Sequence, residues 1–93
     1  MRVAQAMREK LDRAFRPTRL EIVDESHLHA GHAGAREGGE SHFRVEIVAD
    51  IFAGKSRIAR HRMVHDILTD ELSGGVHALA IVARTPAEAG SAR

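Results

Sequence analysis

The sequence predicts an α/β fold of order α-β-β-α-β, with the helices on one face of a three-stranded mixed sheet. Three observations carry this. Apolar residues recur at helical spacing in two stretches and alternate with polar residues in two others, and a continuous apolar run over residues 76–83 follows a Gly74-Gly75 pair.

Val3, Met7, Leu11, Ala14 and Phe15 fall on one helical face with Arg8, Glu9, Asp12 and Arg13 between them, so a first helix is expected to end near Arg16, before Pro17. Residues 18–24 alternate, with Leu20 and Ile22 on the apolar face, and suit a half-buried strand. Periodicity is lost over residues 25–41, which hold Gly31, Gly34, Gly38 and Gly39 and read as a loop. Residues 42–49 alternate again. Phe43, Val45 and Ile47 lie on one face and His42, Arg44 and Glu46 on the other, as in a second strand antiparallel to the first. Phe52 and Gly54 mark a turn. A short helical turn and then one main helix should follow, with Ile58, Met63, Val64, Ile67, Leu68 and Leu72 as its apolar stripe and the glycine pair as its stop. The run at 76–83 is apolar on both faces, which fits a covered third strand closed by Pro86.

With 93 residues the chain is one domain's worth and has room for only a modest core. Net charge is +1, too small a bias to imply a nucleic-acid or acidic-membrane partner by itself. The absence of cysteine removes disulfides, a thiolate nucleophile and any self-sufficient thiolate metal site. No stretch approaches the roughly 18 apolar residues of a membrane span, and the first fifteen residues lack the apolar block of a secretion signal. The expectation is a soluble cytoplasmic protein with no membrane association. With no Trp or Tyr, stacking on bases is limited to Phe15, Phe43 and Phe52.

Three groups of residues could carry chemistry. His27, His29 and His32 lie in the glycine-rich loop, where neutral imidazoles could reach a borderline metal with little strain; solvated loop polarity is the ordinary alternative. His77 stands alone before an apolar strand, where a histidine commonly bonds to backbone, yet its position leaves room for exposure. Lys55, Arg57, Arg60, His61 and Arg62 form a basic run. Arg57, Arg60 and His61 are expected on one side of the helix, to meet phosphates or an acidic partner or else simply to face solvent. His61 and His65 are one turn apart but lack the glutamate and third ligand of a zinc motif. No nucleophile, base and orienting group assemble, and no paired carboxylates suggest acid-base work, so an enzyme is not expected.

Several segments taken together resemble the BolA family. They are Asp24-Glu25-Ser26 before a histidine-bearing loop, Gly39-Glu40-Ser41-His42-Phe43, Phe52-Ala53-Gly54-Lys55-Ser56, Arg60-His61-Arg62-Met63-Val64 and Val76-His77-Ala78-Leu79. The resemblance covers about residues 3–86 in the family's order. The residues themselves read as a single domain over 1–86, with 87–93, after Pro86, as a flexible C-terminal tail. The resemblance implies a class II KH-like fold, which agrees with the order above. It also implies pairing with a monothiol glutaredoxin and a shared [2Fe-2S] cluster, to which the partner brings its cysteine and a bound glutathione. On its own the chain would carry no cofactor, as a monomer or weak homodimer. The residue of this chain that matches the family's strand ligand is His77. A second ligand would come from the loop, where position points to His29 with His32 and His27 as alternates. Mixed Cys and His ligation raises a cluster's potential over that of all-thiolate sites. Some relatives are described as transcription regulators, which would make DNA the alternative partner and residues 52–68, with Lys55, Arg57, Arg60, His61 and Arg62, the contact surface. Gly54-Lys55-Ser56 departs from a complete Gly-x-x-Gly clamp.

Overall fold

The computed structural model describes residues 2–26 and 41–91. Helix α1 (Arg2–Phe15) buries Met7, Leu11 and Phe15, the i, i+4, i+8 row that its sequence spacing requires. It stops where Arg16 takes a left-handed φ of 47°, immediately before Pro17. Strands β1 (Arg19–Asp24) and β2 (His42–Val48) pair antiparallel, with Leu20 opposite Ile47 and Ile22 opposite Val45. Strand β3 (Ala78–Arg84) pairs parallel to β2, with Phe43 beside Leu79 and Val45 beside Ile81. The order is β1-β2-β3, a three-stranded mixed sheet with β2 in the centre. A parallel pair needs a long crossover, and the chain supplies it as helices α2 (Arg57–Ile67) and α3 (Thr69–Ser73).

Met7, Leu11 and Phe15 pack with Phe43, Val45 and Ile47 of the central strand and with Phe52, Val64 and Leu68 of the crossover. Phe15 and Phe52 close this core with ring centroids 5.4 Å apart and planes tilted by 42°. Lys10 of α1 reaches Glu71 of α3 at 2.8 Å, and this hydrogen-bonded pairing raises the lysine's pKa above its ordinary value. No helix among the described residues is long and apolar enough to cross a membrane.

Three expectations need correction. The single main helix is two: the Leu68 amide is shared between the carbonyls of Val64 and His65, and the Thr69 hydroxyl donates to those of His65 and Asp66, so the α2 ladder ends there. Ile58 leaves the apolar stripe and stands 70% exposed at the start of α2, where the Ser56 side chain caps the helix by accepting from the Ala59 amide. Residues 87–91 belong to a fourth helix, α4 (Pro86–Ser91), and not to a flexible tail. Its first turn is a reciprocal capping box: the Thr85 amide donates to Glu88 Oε1 at 2.8 Å and the Glu88 amide to Thr85 Oγ1 at 3.2 Å, with Pro86 as first helical residue.

Candidate functional site

The end of β1, the start of β2 and the approach to β3 converge on two buried serines. The Ser26 side-chain oxygen, at the end of β1, accepts the amides of Ser41 at 2.9 Å and His42 at 3.1 Å. The Ser41 hydroxyl lies 3.2 Å from it and 2.9 Å from His42 Nδ1. The Ser41 carbonyl in turn receives the amides of His77 at 2.7 Å and Ala78 at 3.2 Å. Ser41 is fully buried, and Ser26 and His42 are 7% and 8% exposed. Sequence alternation had put His42 on an outward face; the structure buries it.

His77 sits at the edge of this network. Its backbone is fixed by the bond to Ser41, its side chain is exposed, and its ring lies 6.4 Å, centroid to centroid, from that of His42. Its amide is thus satisfied by backbone, as for a structural histidine, while its imidazole faces outward. His27, His29 and His32 lie outside the described residues. The residues flanking them, Ser26 and Ser41, are hydrogen-bonded to each other beside His77. Among the described residues no group of three or more His, Cys, Asp or Glu could hold a metal ion. At this edge the described residues offer one exposed imidazole, that of His77.

The basic run divides. Lys55, Arg57 and Arg62 are exposed. Arg57, Ile58, His61, Arg62 and His65 line a shallow surface depression of about 520 Å³ along α2. His61 is half-buried, and that burial, with Arg57 and His65 nearby, lowers its pKa below the ordinary value. Arg60 does not line this depression, although it lines a neighbouring groove with Lys55, Arg57 and Arg84. Its side chain is 12% exposed and grips Glu88 through both terminal nitrogens, at 2.6 and 3.0 Å. It also donates to the carbonyls of Ala83 and Lys55. The Arg60 bond and the Thr85 amide bring the Glu88 carboxyl down from 4.5 to about 2. Arg60 thereby joins α2 to β3 and α4. Arg84, not singled out by the sequence, lines two further grooves with Arg57, of about 270 and 430 Å³. Only the end of an apolar run marked it.

Comparison with known proteins agrees with this architecture. The family profile described as BolA-like protein matches residues 11–88. BolA-like protein 1 of Mus musculus is 50% identical over 86 residues, covering 92% of this chain and 60% of its own. SufE-like protein 1, chloroplastic/mitochondrial, of Arabidopsis thaliana is 52% identical over 86 residues, 88% of this chain but 23% of that protein. This chain thus spans only part of these two relatives. The solved BolA domain of SufE1 from Arabidopsis thaliana superposes with a TM-score of 0.83 at 50% identity, over 91% of this chain and 93% of that one. In sequence and in fold, the chain belongs to the BolA-like protein family.

Proposed function

We propose that this chain is an adaptor, not an enzyme, that pairs with a monothiol glutaredoxin and supplies histidine to a [2Fe-2S] cluster held between the two proteins. The observation that carries this reading is His77, an outward imidazole on a rigidly bonded backbone, in a chain without cysteine. A [2Fe-2S] cluster takes four protein or thiol ligands, and thiolate is the usual donor. A chain offering imidazole without sulfur is suited to complete such a site and not to hold it alone. The glutaredoxin cysteine and a glutathione thiolate would provide the sulfur, and His77 one nitrogen. A loop histidine, His29 in the first instance with His32 and His27 as alternates, would provide the second nitrogen. Replacing two thiolates by neutral imidazoles makes the cluster less electron-rich and raises its potential, which suits transfer or sensing in iron-sulfur trafficking or iron and redox regulation. The role of this chain's own residues is to hold the His77 backbone and leave its ring accessible to the partner. We place this activity in the cytoplasm, where a reducing glutathione pool keeps the partner's thiols available.

The test is assembly. Mixed with monothiol glutaredoxin, glutathione, ferric iron and sulfide, the chain should form a one-to-one complex carrying one cluster, and alone it should carry none. A complex whose cluster spectrum matches that of the glutaredoxin homodimer would refute the reading.

A second reading rests on the exposed guanidinium groups of Arg57, Arg62 and Arg84, with Lys55 beside them. None of these four has an ion-pair partner among the described residues, and the surface could meet DNA phosphates in a transcription regulator. Withdrawal of Arg60 into its pair with Glu88 removes one of the charges on which that reading drew.

A further inference from the structure

A ligand on an exposed side chain must be ordered before it can bind, and metal-binding histidines depend on neighbouring groups to fix the ring. His77 has no side-chain hydrogen bond among the described residues that would do so. What it does have is a neighbouring ring. The His42 imidazole lies 6.4 Å away between centroids at a tilt of 45°, within the range where aromatic rings rest on one another. Unlike His77, His42 is not free to turn. It is 8% exposed, its Nδ1 is 2.9 Å from the Ser41 hydroxyl, and its amide is bound by Ser26. The same Ser41 holds the His77 amide through its carbonyl. One residue thus fixes both the backbone of His77 and the ring beside it.

We propose that His42 is a positioning residue for His77, a buried imidazole held by Ser41 that limits the orientations of the exposed one. The inference rests on the reading of His77 as a cluster ligand, but its structural part can be read without a cluster. His42 does not touch the cluster; it acts by narrowing the conformations of His77. The Ser41 hydroxyl is the lock on His42, and its loss should free the ring while leaving the main-chain grip on His77 in place.

The experiment uses the full chain in two states. In the protein alone, the carbon-bound ring protons of His77 are followed by NMR in wild type, His42→Ala, His42→Phe and Ser41→Ala, with the amide spectrum as the check on folding. His42→Ala should shift the His77 ring resonances and broaden its rotamer distribution. His42→Phe, which restores a ring, should return most of the restriction, and Ser41→Ala should fall between. In the complex with glutaredoxin, glutathione and cluster, His42→Ala should speed cluster loss to a chelator roughly tenfold, the lower end of the effect of removing a ligand's supporting group. His42→Phe should recover most of that lifetime. Unchanged His77 ring resonances in a folded His42→Ala protein would overturn the proposal. Should His42→Ala fail to fold, unchanged resonances in Ser41→Ala would overturn it equally. Altered resonances with an unchanged cluster lifetime would also overturn it, provided His77→Ala does alter that lifetime. If His77→Ala leaves the cluster untouched, the ligand reading fails instead, and the NMR comparison still decides whether His42 orders His77.

Discussion

Removing the Ser26 hydroxyl would strand two backbone amides, those of Ser41 and His42, in a place water reaches poorly. Ser26→Ala should therefore cost about 1–3 kcal/mol, the range for leaving buried donors unpaired, measured by denaturant unfolding. A loss under about 0.5 kcal/mol, the level of an ordinary surface change, would contradict the hub. Glu88 gives a prediction with a pH signature. Its folded-state pKa is depressed from 4.5 to about 2, chiefly by the Arg60 bond, so its contribution is complete above pH 4.5 and is lost as pH falls towards 2. Wild type should exceed Glu88→Gln in stability near neutral pH, and acid titration of both should bring the curves together across that window. A gap unchanged down to pH 2 would contradict the pairing. At this scale the sequence was partly legible. His77 stood out because all its neighbours are apolar. His42 did not, since alternation names a strand face and does not say whether other chain covers it. Arg60 read as surface charge because its partner lies 28 residues away.

Among the elements, β1 and β2 were read with their core faces right, because a period of two with Phe43, Val45 and Ile47 on one side leaves little choice of register. Strand β3, read as covered on both faces, buries only Ile81 and leaves Ala78 and Ala80 exposed. The crossover was less legible. An apolar stripe continues through Leu68, but the break there is made by the Thr69 hydroxyl and a shared amide, which hydrophobic periodicity does not register. Helix α4 did have a local signal, Thr85-Pro86-Ala87-Glu88, a capping box with proline at the first helical position. Ile58 and Leu68 separate the stripe from the core: Leu68→Ala should cost about 2–5 kcal/mol and Ile58→Ala within about 0.5 kcal/mol, because only Leu68 is buried. Equal costs in thermal or denaturant unfolding would mean that α2 packs through a different face.

For the whole molecule, the α-β-β-α-β order and the mixed sheet were recoverable because each segment's pattern agrees with its place in the fold. The division of the basic residues between structure and surface was not, since it depends on the tertiary path of α4. That division makes the two functional readings separable. If Lys55, Arg57, Arg62 and Arg84 meet DNA phosphates, affinity should fall with salt at a log-log slope of about −3.6, and Arg57→Ala should flatten it by about one unit. Arg60→Ala should lower stability and leave the slope unchanged; a flattened slope would put Arg60 on the DNA. The central claim, that His77 completes a cluster shared with a glutaredoxin, is tested most directly by the visible absorption and circular dichroism of the cluster-loaded complex in wild type and His77→Ala. The account predicts that the substitution keeps the fold, changes the spectrum and shortens the cluster's lifetime. An identical spectrum and lifetime in the two proteins would contradict it.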